Sequence, residues 1–309
     1  MDRVRYGGVF WDSARWEGLE LRPGDIIVAT PAKSGTTWTQ MICALLIFQD
    51  PDLPRPLGEI SPWVDMVTRP RTEVIADLAA QRHRRFLKTH TPLDGLPLDP
   101  RVTYICVGRD PRDVALSMDR HVANLNRDQL LRLRAEAAAI EGIELPAVEP
   151  PPPSPSPPDD RERFWRWVDD DTDPTTNTSS LRSTLHQLTS FWTASEGLDV
   201  VLLHYDDLLA DLEGQMRMLA DHLGIAVPEE RWPTLVEAAT LDGMRERTSL
   251  TAPGAARSQW HDASRFFAKG TSGQWRDLLT ADDLARYAAR ARSLAPPDLV
   301  TWVHRGPLD

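Results

Sequence analysis

Residues 25–48 constrain this chain more than any other stretch. Asp25-Ile-Ile-Val-Ala-Thr30 is a short apolar, β-branched run, which predicts a buried strand. It passes into Pro31-Ala-Lys-Ser-Gly-Thr36, small and polar, and then into Thr36 to Phe48, of helical composition. A buried strand feeding a helix through a short loop is how a parallel α/β unit begins, because a parallel neighbour can only be reached by a crossover. The loop also has chemistry of its own. Gly35 lets the backbone approach an anion closely, and Thr36 and Thr37 offer hydroxyls. The helix start offers free N–H groups at the positive end of its dipole, and Lys33 adds a full charge. The stretch therefore reads as a phosphate cradle, with a plain Gly/Ser turn as the alternative. It is not a Walker A loop, since the lysine precedes the glycine.

The rest of the chain repeats the strand–helix theme. Arg85 to Thr89, Arg101 to Gly108 and Asp199 to Tyr205 are further apolar runs of strand length. A helix is expected after Pro111, and another from about Asp206 to Leu223. The expected fold is α/β: one domain over residues 1–309, with a parallel sheet of about four or five strands flanked by helices. Its ligand should sit at the C-terminal ends of the strands. Between 126 and 180 the pattern breaks. Pro146 to Pro158 holds eight prolines and Asp169 to Asp173 is an acidic cluster. This stretch is expected to be an insertion, either a lid that gates a substrate or a plain surface loop.

Charge and composition exclude several function classes. The net charge is −11, which argues against nucleic acid as a partner. One small basic pocket remains compatible with that balance. Of the 35 basic residues only three are lysine: Lys33, Lys88 and Lys269. A chain so rich in arginine keeps lysine where a compact point charge serves better, or by coding bias alone. Cys43 and Cys106 sit in apolar runs and read as buried, reduced thiols of a cytoplasmic protein. No signal peptide is evident, and the apolar run Met41–Phe48 is too short for a membrane span.

Lys33-Ser-Gly-Thr-Thr-Trp38 resembles the 5′-phosphosulfate loop, P-K-S-G-T-T-W, of sulfotransferases that use 3′-phosphoadenosine 5′-phosphosulfate (PAPS). Ala32 separates Pro31 from Lys33, a small departure. Further segments follow in order. Lys88-Thr89-His90 resembles the family's K-T-H segment, and Arg109 and Ser117 resemble its 3′-phosphate pair. Tyr205 and the loop Thr240-Leu241-Asp-Gly-Met244 resemble residues that flank the adenine. Phe266-Phe267-Ala268-Lys269-Gly270 with Gly273-Gln-Trp275 resembles the C-terminal R-K-G-x-x-G-x-W motif. Phrases such as Ser61-Pro-Trp63, Lys88 to Leu96 and Leu294 to Leu299 are similar to mycobacterial glycolipid-sulfating members.

The resemblance implies sulfuryl transfer from PAPS to an acceptor hydroxyl, releasing adenosine 3′,5′-bisphosphate (PAP), with no metal. The acceptor would be a small molecule or a glycolipid, and a peripheral contact with lipid fits the latter. His90 is then the base, the one histidine of the chain in a matching motif. Lys33 would stabilise the leaving phosphate and Lys88 the sulfuryl oxygens. Lys33, Ser34, Gly35, Thr36, Thr37 and Trp38 would bind the nucleotide from the first loop. Arg109, Ser117, Tyr205, Thr240, Leu241, Met244, Phe267, Ala268, Lys269 and Gly270 would complete its site. Ala268 stands where the motif has Arg, which removes a cationic contact unless Arg265 substitutes. Trp63 and Phe10 read as core first and as pocket lining second. The alternatives are a nucleotide-dependent phosphotransferase and an inactive nucleotide- or lipid-binding relative. Arg276 to Ala285 lacks the Val and Glu of the family's dimer segment, which leaves the oligomeric state open.

Overall fold

The structure is a computed structural model that describes residues 3–145, 157–194, 197–267 and 270–308. Its centre is a parallel sheet of four strands, β1 (Ile26–Ala29), β2 (Phe86–Thr89), β3 (Thr103–Gly108) and β4 (Asp199–His204), in the order β2-β1-β3-β4. Pairing is parallel throughout: Ile26 faces Phe86 on one side and Thr103 on the other, and Thr103 faces Asp199. The expected strands are all present, trimmed by a residue or two at some ends.

Every residue of β1 and β3 is buried. That follows from helices on both faces, which turn each strand into an unbroken apolar run. Alternate residues serve opposite cores. Ile27, Ala29, Leu87, Tyr104 and Cys106 pack with the helices 160–168, 181–192, 281–294 and 297–303. Ile26, Val28, Phe86, Ile105 and Val107 pack with the helices 36–48, 212–222 and 232–239. Both cysteines are buried and unpaired.

The strand order decides where the site lies. The chain leaves β1 towards β2 on one side, while β3 leads to β4 on the other. The C-terminal ends of β1 and β3 therefore flank the point where the winding reverses, which is where open α/β sheets hold ligands.

The described part of the stretch 126–180 is largely helical. The prolines from 146 to 156 lie outside the described residues. On either side stand two helices, Arg127–Glu141 and Asp160–Val168. The second is core: Phe164, Trp165, Trp167 and Val168 are buried, because Asp159 caps a helix whose apolar residues face the helices 111–124 and 181–192. The acidic cluster is tied down as well. Asp169 pairs with Arg286 at 2.5 Å and Asp171 with Arg290, both on the helix 281–294. Among its described residues, Leu130, Thr178 and Ser179 line the central cavity. The single helix expected over 206–223 is two, Tyr205–Ala210 and Leu212–His222, broken where Asp211 caps the second.

Candidate active site

All four strands deliver a residue to one cavity of about 750 Å³ at their C-terminal ends. β1 ends in the loop 31–35, β2 carries Lys88 and leads to His90, β3 leads to Arg109 and β4 to Tyr205.

The loop after β1 is shaped by two left-handed residues, Lys33 (φ 67°) and Gly35 (φ 106°). Glycine is required at the second. A Cβ there would lie 3.1 Å from Cδ2 of the Tyr205 ring, in a conformation L-residues avoid. Gly35 caps the helix Thr36–Phe48 without a side chain, so its first N–H groups keep their hydrogen-bonding capacity for a ligand. The hydroxyls of Thr30 and Thr36 bond to each other and close the base of the loop.

Arg109 ties this loop to β3. Its Nη1 donates to the Lys33 carbonyl at 2.9 Å and its guanidinium lies 4.2 Å from the centre of the Tyr205 ring. Two buried donors here, Ser34 Oγ and Arg109 Nε, have no partner among the described residues. Unpaired buried donors beside a free helix start fit an anion with several acceptor oxygens. The donor set thus fits a phosphosulfate. Trp38 meets Tyr205 edge-on at 5.3 Å and anchors its Nε1–H on the Ala239 carbonyl. Leu241, Met244, Phe267 and Gly270 line the same cavity as these two rings.

Lys88 and His90 stand two apart at the end of β2 and so share a face, while Thr89 points to the other. His90 Nδ1 lies 2.7 Å from the Thr30 carbonyl. A carbonyl only accepts, so that nitrogen carries the proton and Nε2 keeps its lone pair. Burial, and after it the charge of Lys88, pushes His90 down to about 3. Burial likewise lowers Lys33 to about 7, helped by Arg109, and Lys88 to about 8. The Trp63 ring meets His90 edge-on at 4.8 Å and lies 5.0 Å from the Lys88 ammonium.

Behind this group sits a residue the motifs do not name, Asp65. It is buried and accepts from Trp16 Nε1, Thr89 Oγ1 and, at 2.8 Å, Trp63 Nε1. Burial raises its pKa while those hydrogen bonds lower it. Asp65 thereby fixes the ring that touches both Lys88 and His90. His121 is a second such residue, with Nδ1 3.4 Å from Lys33 Nζ. The sequence signal for it was its place four residues after Ser117 on one helix face.

Most predicted residues converge. Lys33, Gly35, Thr36, Thr37, Trp38, Lys88, His90, Arg109, Ser117, Tyr205, Leu241, Met244, Phe267 and Gly270 line the cavity. Ser34 lies buried beneath it. Thr240 does not reach it: its hydroxyl caps the helix Leu241–Glu246 through Gly243 N–H at 3.0 Å. Ala268 and Lys269 lie outside the described residues. Trp63 and Phe10, read as core first, line the cavity instead. The cavity is also lined by Phe10, Trp11, Trp63, Met66, Leu125 and Trp260, residues scattered along the chain.

Residues 23–294 match the sulfotransferase domain. The chain belongs to the sulfotransferase family. It is 45% identical to a glycolipid sulfotransferase of Mycobacterium bovis over 99% of this chain and 95% of the relative. It is 44% identical to that of Mycobacterium tuberculosis over the same shares. A bovine sulfotransferase 1A1 matches at 25% identity over 85% of this chain and 81% of the relative. Retinol dehydratase in complex with androsterone and PAP shares the fold, with a TM-score of 0.64 over 91% of this chain and 83% of that one, at 22% identity. A mouse sulfotransferase complexed with PAP also has a TM-score of 0.64, over 95% and 92% of the two chains, at 16% identity. No helix among the described residues is long and apolar enough to cross a membrane.

Proposed function

We propose that this sulfotransferase moves the sulfuryl group of PAPS to a hydroxyl of a glycolipid or another lipophilic small molecule. The observation that carries this reading is His90. Its Nε2 lone pair is left free by the Thr30 carbonyl, in a cavity that Lys33, Lys88 and several aromatic side chains also line. PAPS supplies an electrophilic sulfuryl group carried on a phosphate leaving group.

The residues of the chain divide the remaining work. The loop 33–38 and the helix start hold the 5′ end, and Trp38, Tyr205, Leu241, Met244 and Phe267 enclose the adenine. Arg109 and Ser117 take the 3′-phosphate. Arg265 shares a small recess with Ser117, Arg120 and Lys33, which supports it as the stand-in where Ala268 lacks a charge. His90 removes the hydroxyl proton at Nε2, which leaves the acceptor oxygen free to attack sulfur. Lys88 offers its ammonium to the sulfuryl oxygens, and Lys33 holds positive charge where the phosphate oxygen gains negative charge. His90 is a weak base in the free site because Lys88 and Lys33 add to the effect of burial. An anionic donor offsets both charges and so raises its basicity when catalysis needs it.

The aromatic lining of the cavity supports a lipophilic acceptor, and the mycobacterial relatives are named for glycolipids. The buried free thiols fit operation in the cytoplasm, with the lipid acceptor met at a membrane surface. The test is a mass-shift assay with PAPS and a panel of glycolipids, phenols and sterols, alongside Mg²⁺-ATP as donor. A gain of one sulfuryl group on a glycolipid, lost by about a hundredfold or more in His90→Ala, is expected. Transfer from Mg²⁺-ATP but not PAPS, or full activity in His90→Ala, contradicts the reading.

A further inference from the structure

Lys33 has a partner at the donor end of the cavity. Its Nζ lies 3.4 Å from His121 Nδ1 and 5.2 Å from the centre of the Phe266 ring. An ammonium can only donate, so His121 Nδ1 is the acceptor whenever Lys33 is charged. The ring proton then sits on Nε2. His121 occupies the last turn of the helix Pro111–Asn124 and lines the cavity with Ser117. Trp260 meets its ring edge-on at 5.0 Å and Phe266 at 6.4 Å, so the imidazole is clamped. Both aromatics belong to the segment that continues into Phe267 and Gly270.

The surroundings make this contact necessary. Burial disfavours the Lys33 ammonium, and the charges of Arg109, Lys88 and Arg120 oppose it further. His121 is itself pushed well down, by burial and then by Lys33, Lys88 and His90, so it stays neutral and keeps its lone pair at neutral pH. Among the described residues it is the side chain placed to accept from Lys33.

We infer that His121 is the positioning residue for Lys33: the neutral imidazole holds the ammonium in its charged form and aims its remaining N–H groups. His121 acts through Lys33 and does not touch the reacting atoms. This inference rests on the role given to Lys33 above, but the contact itself can be tested without turnover.

The chain has only three lysines, so isotope-labelled lysine gives a spectrum in which Lys33 can be followed against pH and assigned with Lys33→Met. His121→Phe keeps a ring against Trp260 and removes the acceptor. His121→Asn keeps an acceptor near the position of Nδ1. The Lys33 midpoint is expected to fall by about one unit in His121→Phe, the tenfold that a charge-assisted hydrogen bond of roughly 1.4 kcal/mol is worth. It is expected to recover in His121→Asn. In turnover with PAPS, kcat falls about tenfold in His121→Phe at unchanged acceptor KM, and His121→Asn restores it. An unchanged midpoint, or an effect confined to acceptor KM, overturns the inference. Nitrogen NMR of the unmodified protein near pH 6, where Lys33 is charged, needs no variant: Nδ1 of His121 is expected unprotonated, and a proton there overturns the assignment. Absence of sulfuryl transfer would leave the lysine titration as it is, so the two readings fail separately.

Discussion

Binding of PAP should draw protons from solution, and the amount follows from the two buried lysines. In the free site Lys33 is lowered to about 7 and Lys88 to about 8, burial being the larger cause for each. At pH 8, Lys33 is then charged in about one molecule in eleven and Lys88 in about half. A bound bisphosphate favours the ammonium form of both, because opposite charge at close range raises a lysine pKa. Filling both sites takes up about 0.9 proton at Lys33 and about 0.5 at Lys88 per binding event at pH 8. The phosphates contribute almost nothing there, since their second pKa is about 6 and both are already dianions. Below pH 6 the free lysines are already charged and their uptake vanishes. As pH rises from 7 to 9, affinity for PAP should fall by roughly two to three decades, or about 3–4 kcal/mol. The assay is calorimetric titration at pH 8 in two buffers of different ionisation enthalpy. The slope of observed enthalpy against that enthalpy gives the protons directly. Lys33→Met should remove the larger share and Lys88→Met the smaller. Equal enthalpies in both buffers, with affinity flat to pH 9, would show that the lysines are charged before the ligand arrives, and the account of their burial would be refuted.

Three further outcomes are expected. Asp65→Ala leaves Trp16 Nε1, Trp63 Nε1 and Thr89 Oγ1 without their acceptor, so thermal denaturation should show a loss of about 3 kcal/mol or more. Gly35→Ala, at φ 106° with its Cβ 3.1 Å from Tyr205, should cost about 1–2 kcal/mol and weaken PAP about tenfold, read by denaturation and by titration. Ala268→Arg supplies the charge the family motif carries at that place, and PAP affinity should rise about tenfold or more; no gain would indicate that Arg265 already fills the role.

The cationic residues of the cavity were legible because they stand in short contiguous motifs at strand ends. A parallel strand buried on both faces gives an unbroken apolar run, and Ile26–Ala29 and Thr103–Gly108 are such runs. The loop between β1 and the helix Thr36–Phe48 must use small, polar and glycine residues to turn and to hold an anion, and those choices appear in order at 33–37. The helix Asp160–Val168 was obscured by its neighbours. Prolines before it and aspartates after it mask an Asp-capped turn whose Phe164 and Trp165 belong to the core. Thr240 is a different case: it sits within a matching segment, but its hydroxyl caps a helix and donates to the Glu237 carbonyl.

The aromatic lining of the cavity could not be read in the same way, for a physical reason. Its wall takes Phe10 and Trp11 from the N-terminal segment, Trp63 and Met66 from the edge beside β2, Leu125 from the end of a helix and Trp260 from a C-terminal loop. No period links these positions, and each aromatic alone reads as core. Asp65 is hidden similarly, since nothing in Trp63-Val-Asp65 tells that the carboxylate turns inward to hold two indoles and a threonine. Their common constraint is the charge in the same cavity. On the roles proposed above, Lys33 and Lys88 act on a transferring group only if they are kept from water, and large aromatic side chains are what exclude it. Trp63 and Phe266 do so while each lies against a lysine ammonium, at 5.0 Å and 5.2 Å. Aromatic residues that line the cavity are therefore also those that set how strongly the lysines act. Substitutions at Trp63 or Phe266 that open the cavity to larger acceptors should raise the midpoints of Lys88 or Lys33 towards the ordinary lysine value and weaken the pH dependence of PAP binding. A change of acceptor range that leaves both midpoints in place would separate the two roles.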